Sequence, residues 1–212
     1  VRFNTFKKSI TNIGSNLELD DIFEGFKKIV FGLSLKLLLA DNIGTVVDSC
    51  FDAGFSNLSG WDVWTIAFLF GFQIYFDFSA YSQIAIGSAL LFGIRFEENF
   101  NYPYLAQTPR EFWKRWHISL SNWVRDYLYL PLVDRLSRSN QKQESRHFLG
   151  GSVLPLFLSW LIMGLWHGAS WNFLIWGIGH AALILVFRLA SRFSIYSNSY
   201  LRKSISYILT LG

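Results

Sequence analysis

Long stretches without charge constrain the fold of this chain more than any other feature of its sequence. Between residues 148 and 187 there is no Asp, Glu, Lys or Arg. Runs of about 20 apolar residues have the length needed to cross the hydrocarbon core of a bilayer. Hydrophobic residues make up 51% of the chain and aromatic residues 18%, and the mean hydropathy is +0.28. We therefore expect an integral membrane protein.

The apolar runs predict an all-α, polytopic fold of transmembrane helices. The first run is interrupted by Lys36 and by the polar residues that follow Ala40, so it is expected to form a short or broken span. The second run is too long for one straight crossing, and we interpret it as one crossing with a kink or a re-entrant part near Asp77. The predicted spans are residues 26–47, 61–94, 148–165 and 171–189.

The charges between these runs indicate membrane topology rather than nucleic-acid binding. The net charge of +4 comes from Lys and Arg residues that lie between apolar runs, where cytoplasmic loops collect basic residues. The positive-inside rule places residues 1–28, 95–147 and 190–204 in the cytoplasm. Membrane lipids are therefore expected as partners, and nucleic acid is not.

The segment that follows residue 107 predicts an amphipathic helix. Thr108 and Glu111 have the spacing of a capping box, and Pro109 suits the first helical position. At 100° per residue, seven apolar and aromatic residues fall within an arc of about 120°. Such a helix is expected to lie in the membrane interface and to stop at Pro131. The seven residues are Phe112, Trp113, Trp116, Leu120, Trp123, Val124 and Tyr127.

His167 is the main candidate for function, because it lies inside the stretch that carries no full charge. An ionisable residue within a membrane span needs a cavity or a partner, which makes it a functional hypothesis by default. Gly164 and Gly168 allow close backbone approach, and Trp166 and Trp171 would form the walls of a slot. An imidazole kept uncharged in such a slot is available as a general base. The alternative is a neutral histidine that bridges two helices by hydrogen bonds.

The other histidines and the cysteine narrow the choice of chemistry. His117 lies at the border of the amphipathic helix, where a histidine is usually a solvated or packing residue, but beside His167 it suggests a pair. His180 is interpreted as structural. The four histidines lack metal-ligand spacing, and the single cysteine, Cys50, excludes an internal disulfide, so no metal site is expected. Glycine-rich phosphate motifs and the serine-hydrolase motif are missing as well.

Further residues are candidates for substrate binding. Arg115 would hold an acidic donor group such as a phosphate, although a solvated cytoplasmic surface is the alternative. Asp77 is interpreted either as the partner of a histidine or of a basic side chain such as Lys36, or as the cap of a helix kink beside Ser79 and Ser82. The full set of substrate-binding candidates is Trp166, Trp116, Arg115, Asn172 and Asp77.

Three motifs resemble the membrane-bound O-acyltransferase family, and within it the bacterial alginate O-acetyltransferase-like branch. They are FWKRWHISLSNWVRDYLYLPL (112–132), LIMGLWHGASWNFLIWGIGHA (161–181) and QIYFDFSAYSQIAIGSALLFGIRFEENFNYPY (73–104), and the likeness covers about residues 26–190. The third motif departs from the expected FSGYSD pattern at Ala80 and Gln83. These departures bear on the type of acceptor more than on activity.

The resemblance implies a helical fold with a tunnel, in the bacterial inner membrane, where an acyl group passes from a cytoplasmic thioester to a hydroxyl outside. His167 matches the near-invariant histidine of the family, and His117 matches its second histidine. The expected donor is acetyl-CoA or an acyl carrier, with no bound cofactor. The expected acceptor is an exported polysaccharide, and accessory periplasmic acetylation proteins are expected partners.

Two other functions remain open at this point. One is D-alanyl transfer to teichoic acid, which belongs to the same chemistry. The other is a transport or scaffold component whose membrane histidines relay protons. Family members are about twice as long as this chain, so residues 1–212 are interpreted as one partial domain with both ends missing.

Overall fold

The computed structural model describes residue 7 and residues 17–54, 58–139 and 152–191. Every regular element in these ranges is helical, which confirms the all-α prediction for them. The chain divides into two compact units, residues 1–99 and 100–212. Of the predicted loops at residues 1–28, 95–147 and 190–204, residues 1–6, 8–16, 140–147 and 192–204 lie outside the described ranges.

The first unit contains two long helical segments. α1 (Leu19–Ser34), a π-helix (Leu35–Ala40) and α2 (Asp41–Ala53) follow one another without a break, and α3 (Gly60–Leu90) comes next. The expectation of a short or broken first span is therefore wrong, because a π-helical turn accommodates the polar residues near Lys36. α3 is one continuous helix of 31 residues, so no re-entrant part is present at Asp77.

Small residues allow α1 and α3 to approach each other closely. Gly25 and Gly32 lie about two helical turns apart on α1, as do Ala80 and Gly87 on α3. A Cβ atom added at Gly32 would lie 2.7 Å from Ala80 O, and one added at Gly87 would lie 2.5 Å from Gly25 O. Larger side chains are excluded here, as is typical of membrane helices that pack backbone to backbone.

The two departures from the family pattern both lie in contacts within this unit. Ala80 is 1% exposed and is buried in the contact between α1 and α3. The Gln83 carboxamide accepts a hydrogen bond from Lys28 Nζ (3.3 Å) and donates one to Glu98 Oε2 (2.7 Å). Their surroundings are those of helix-packing residues.

The second unit is built from shorter elements followed by a pair of apolar helices. Before the apolar pair, a 3₁₀ turn (Pro103–Leu105) is followed by α4 (Pro109–Arg115), α5 (Ile118–Val124), a π-helix (Arg125–Tyr129) and α6 (Leu130–Ser139). The apolar pair is α7 (Leu154–His167) and α8 (Trp171–Ala190). The span predicted at residues 171–189 is confirmed as α8, and the span predicted at 148–165 corresponds to α7.

The amphipathic segment begins as predicted but is not one helix. Thr108 Oγ1 accepts the backbone N–H of Glu111 at 3.0 Å, which confirms the predicted start. The prediction of one continuous helix is wrong, because His117 adopts a left-handed backbone conformation (φ 42°, ψ 55°) between α4 and α5. The predicted stop at Pro131 is also wrong: Pro131 lies inside α6. A proline is tolerated there because the preceding π-helix already interrupts the regular hydrogen-bond ladder.

The predicted apolar arc of this segment does not form one surface. Three of its residues pack on the buried core of α7 and α8, whereas Trp123 and Tyr127 remain half exposed. Leu120 and Val124 follow the backbone reversal at His117 and still pack on the same core as Trp113, which precedes it. The three packed residues are Trp113, Leu120 and Val124, and the core that they contact is Leu156, Trp160, Met163 and Ala181.

Among the described residues, three helical segments are long and apolar enough to cross a membrane. They are Leu19–Ala53, Gly60–Leu90 and Trp171–Ala190, and α7 is a shorter apolar helix. Most of their apolar side chains are exposed on the surface of the chain, as expected when lipid or further membrane helices cover them.

Candidate functional site

His167 is the last residue of α7 and lies at the connection to α8. The helix ends because Gly168 takes an extended conformation (φ 168°, ψ 147°), and the backbone N–H of Ser170 then donates to Gly168 O at 2.9 Å. α8 begins at the next residue. The imidazole is exposed, and within the described residues it makes no hydrogen bond.

Three aromatic rings surround the His167 imidazole. Trp166 and Trp176 make edge contacts with ring-centre distances of 5.0 and 5.1 Å, and Phe173 stacks on the imidazole at 6.0 Å. Trp166, one of the two predicted walls, thus contacts the imidazole edge-on. Trp171, the other predicted wall, is 78% exposed, and Phe173 and Trp176 of α8 occupy the position expected for it.

Glycines of α7 and α8 make this arrangement possible. A Cβ atom at Gly168 would lie 2.5 Å from the Phe173 ring, so only glycine permits that ring to stack on His167. A Cβ at Gly164 would lie 2.3 Å from Phe173 O, and one at Gly177 would lie 2.5 Å from Trp160 O. The close backbone approach predicted at Gly164 is therefore confirmed, whereas the close neighbour of Gly168 is the Phe173 side chain.

His117 occupies the reversal between α4 and α5 and lies near His167. A left-handed backbone is uncommon for a residue other than glycine and costs about 1–3 kcal/mol where it is strained, so it must be held in place by its surroundings. Burial, and to a smaller extent the nearby His167 imidazole, lower the pKa of His117 to about 4. Ser119 Oγ lies 3.5 Å from His117 Nδ1. The two predicted histidines thus come within electrostatic range in the second unit, and His117 is neutral at physiological pH.

Trp116 and Arg115, both predicted to bind substrate, are held by contacts within the protein. The Trp116 ring stacks on Phe112 with centres 5.6 Å apart and meets Phe100 edge-on at 5.1 Å. Arg115 Nη2 donates to Glu111 Oε1 at 2.7 Å in a salt bridge. Such contacts orient the backbone that carries His117, while the substrate-binding roles stay predictions.

The two remaining substrate-binding candidates lie in different units. Asn172 lies in the first turn of α8 and is exposed, five residues after His167 in the sequence. Asp77 belongs to α3 of the first unit, where its Oδ1 lies 2.6 Å from Lys36 Nζ. The pairing matches the interpretation of Asp77 as a partner of Lys36, and a role as the cap of a kink is not supported.

His180 has the surroundings of a packing residue. Its Nδ1–H donates to Trp176 O at 2.8 Å, one helical turn earlier. The imidazole stacks on Trp160 (5.3 Å, 14° between planes) and also contacts Trp176 (4.4 Å) and Trp113 (5.3 Å). These contacts agree with the structural role predicted for it.

The sequence reasoning missed Trp176, whose ring contacts both His167 and His180. Its position four residues before His180 was the available signal, because residues at that spacing share a helix face. Phe173 had no comparable signal, since its position depends on how α8 folds back after Gly168.

No group of three His, Cys, Asp or Glu side chains in the described ranges is arranged to hold a metal ion.

Comparison with known proteins identifies one matching family and several relatives. The sequence profile of MBOAT, the membrane-bound O-acyltransferase family, matches residues 29–203. A probable alginate O-acetylase of Azotobacter vinelandii is 43% identical over 170 residues, which cover 80% of this chain and 32% of the relative. A peptidoglycan O-acetyltransferase of Helicobacter pylori is 38% identical (85% of this chain, 32% of the relative), and a teichoic acid D-alanyltransferase of Bacillus subtilis is 30% identical (86% and 46%). The chain spans about a third of the length of the first two relatives.

Proposed function

We propose, from the premise that this chain belongs to the membrane-bound O-acyltransferase family, that it forms part of an enzyme which acetylates hydroxyls of an exported polysaccharide. The chain is a membrane protein with apolar helices long enough to span a bilayer. The acyl donor would be a thioester, such as acetyl-CoA or an acyl carrier. The enzyme would lie in the bacterial inner membrane and cross it several times.

One observation carries the proposal: the neighbourhood of two histidines at the connection between α7 and α8. His167 is exposed, among three aromatic rings, while His117 is partly buried in a strained backbone conformation. Strained residues persist where the surrounding structure over-determines them, and they cluster at active sites. A solvent-accessible imidazole beside a neutral, buried one is suited to proton transfer during acyl transfer.

His167 would act as the general base in a balanced reaction. Its unprotonated ring nitrogen takes the proton of the acceptor hydroxyl, and the hydroxyl oxygen forms a bond to the thioester carbonyl carbon. The bond between that carbon and sulfur then breaks, and the sulfur leaves as a thiol after taking the proton from the imidazolium. General-base assistance is worth about 10² to 10⁴ in rate, or roughly 3 to 5 kcal/mol of barrier.

His117 would hold the acyl carbonyl in this reaction. With its pKa lowered to about 4, it is neutral at physiological pH and keeps one ring N–H to donate. Hydrogen-bond donors aimed at a developing oxyanion stabilise the transition state in sites that exclude water. The aromatic side chains of Trp166 and Trp116, with Arg115, Asn172 and Asp77, stay proposed substrate-binding groups.

The acceptor is proposed from the relatives. The alginate and peptidoglycan O-acetyltransferases are 43% and 38% identical to this chain, whereas the D-alanyltransferase is 30% identical. This order favours acetyl transfer to a polysaccharide over D-alanyl transfer to teichoic acid. Accessory periplasmic acetylation proteins would assist the transfer.

The test compares variants of the protein expressed from its complete gene. His167→Gln should lower acetylation of the surface polysaccharide, measured by mass spectrometry, at least 100-fold. His180→Phe is the matched control, because it replaces another histidine of the apolar helices, keeps an aromatic ring against Trp160 and lies outside the proposed pair. Both variants must insert into the membrane in parental amounts.

Each outcome is informative. A His167→Gln protein that acetylates at the parental rate would remove the proposed mechanism. Loss of a D-alanyl group rather than an acetyl group, when the gene is deleted, would replace the proposed reaction by the D-alanyl alternative. Loss of neither group would contradict acyl transfer altogether.

A further inference from the structure

A cluster of four aromatic rings connects α4 to the apolar pair α7 and α8. Trp113 of α4 contacts Trp160 of α7 edge-on, with ring centres 4.6 Å apart. It also contacts two rings of α8, those of Trp176 at 5.9 Å and His180 at 5.3 Å. We call Trp113, Trp160, Trp176 and His180 the aromatic cluster. Trp113 is the member that α4 contributes.

The backbone between Trp113 and His117 is rigid. Trp113 lies four residues before His117, and the backbone N–H of Trp116 donates to Phe112 O at 2.8 Å, so the hydrogen-bonded helix reaches the residue next to His117. His117 O then accepts the backbone N–H of Ser121 at 3.0 Å, which begins α5. A displacement of Trp113 must therefore move His117.

Trp176 connects the aromatic cluster to His167. Its ring meets the His167 imidazole edge-on, with centres 5.1 Å apart, and the same ring contacts Trp113. The Trp176 carbonyl oxygen accepts the His180 Nδ1–H at 2.8 Å. One indole thus lies in contact with both the residue that holds α4 and the imidazole at the end of α7.

The reversal at His117 is held on both sides by the same buried core. Trp113 packs on that core before the reversal, and Leu120 and Val124 of α5 pack on it after the reversal. Large aromatic rings in a densely packed interior allow little displacement, because a shift loses contacts on one side and creates overlap on the other. His117 and His167 are close enough for the second imidazole to contribute to the low pKa of the first.

We propose that Trp113 is a positioning residue, which sets the separation between His117 and His167 by holding α4 against α7 and α8. It acts through the backbone of α4 and the ring of Trp176, and it does not contact the substrate. The effect on catalysis rests on the proposed function. The separation of the two histidines is measured without it.

Cross-linking of a cysteine pair measures this separation. In a cysteine-free form of the complete protein, with Cys50→Ser in this chain, His117→Cys and His167→Cys are combined. A short bifunctional methanethiosulfonate links two thiols that lie within its reach. Trypsin cuts after Arg125 and Arg135, between the two positions, so mass spectrometry identifies the linked peptides.

Two controls accompany the Trp113→Leu and Trp113→Phe variants. Trp123→Leu removes the same type of side chain from α5, where the indole is 50% exposed and pairs with the Tyr127 ring. Leu156→Ala removes packing from the same buried core, about three helical turns before His167. Unfolding temperatures in detergent are measured for all four variants, so that a loss of stability is distinguished from a loss of position.

Trp113→Leu should lower the rate of linking at least about ten-fold, because the link forms only while both thiols are held within reach. Trp113→Phe should link at an intermediate rate, and it decides the test if the leucine variant does not fold. Both controls should link at the parental rate. With the native histidines restored, Trp113→Leu should lower acetylation per inserted protein about 10²-fold, as a displacement of about 1 Å does.

Linking of both Trp113 variants at the parental rate would overturn the proposal. An equal fall in the Leu156→Ala protein would also overturn it, because Trp113 would then contribute to stability alone. A cysteine pair that does not link in the parental protein would show that the histidines are not neighbours. Slow linking in Trp113→Leu together with full activity of His167→Gln would refute the proposed function and leave the positioning role intact.

Discussion

Replacing Gly177 by alanine should destabilise the pair of helices α7 and α8, whereas the same replacement at Gly179 should not. A Cβ atom at Gly177 would lie 2.5 Å from Trp160 O, and ordinary contacts of this kind begin at 3.4 Å. The two helices must therefore separate by nearly 1 Å. Overpacking of this kind costs about 1–3 kcal/mol. A Cβ at Gly179 meets nothing within 4 Å.

The two replacements should change the free energy of unfolding in opposite directions. Alanine stabilises a helix interior by about 0.5–1 kcal/mol relative to glycine, and only Gly179 can gain this without a clash. The two variants should therefore differ by about 1.5–4 kcal/mol in the free energy of unfolding. Thermal unfolding in detergent, followed by tryptophan fluorescence and by size-exclusion chromatography, measures the difference.

The separation of α7 and α8 should also disturb the contacts of His167 in the candidate site. Trp176 precedes Gly177 and contacts the His167 ring with centres 5.1 Å apart, so the Gly177→Ala protein should also lose acyl transfer. The Gly179→Ala protein should keep it. Equal unfolding temperatures for the two variants, or a more stable Gly177→Ala protein, would refute the reasoning about close packing.

Two further predictions concern charged groups. Lys36→Met should lower the yield of membrane-inserted protein, measured with a fluorescent fusion, because Asp41 and Asp77 lose their shared cation; a Lys36→Met, Asp77→Asn double variant that recovers nothing would contradict this. Hydrogen bonding from the Gln107 backbone N–H holds the pKa of Glu111 below its ordinary value of 4.5. Its contribution to stability is thus complete above that pH and is lost as the pH falls through the lowered pKa. Glu111→Gln should make the unfolding temperature less sensitive to acid in that range, and an unchanged pH dependence would exclude the effect.

The features that depend on neighbours in the sequence were predictable. The apolar runs identified α8 and the long helices of the first unit, because the requirement to satisfy backbone groups in lipid leaves a long apolar segment little choice but a helix. The capping pair Thr108 and Glu111 identified the start of α4 for the same local reason. His167 was conspicuous because an ionisable group within an apolar stretch is costly wherever the rest of the chain lies.

The main failures of the sequence-based predictions lie where the helices are irregular. The left-handed residue His117 and the two π-helices each change the angle between the residues on either side of them. The predicted apolar arc depended on uniform turns of 100°. The predicted break near Lys36 depended on the polar residues within the apolar run, which the π-helical turn accommodates. Irregular turns are held by contacts from other elements, which a local pattern does not contain.

By itself, the sequence determined that the chain is helical, that it belongs in a membrane and that His167 and His117 are its unusual residues. Only the tertiary structure decided which residues surround them: Trp176 and Phe173 rather than Trp171 at His167, and Lys36 at Asp77. The reason is physical. The free energy of transfer from water to lipid depends on each residue and its neighbours along the chain. Contacts between side chains depend instead on the angle and distance at which separate helices pack.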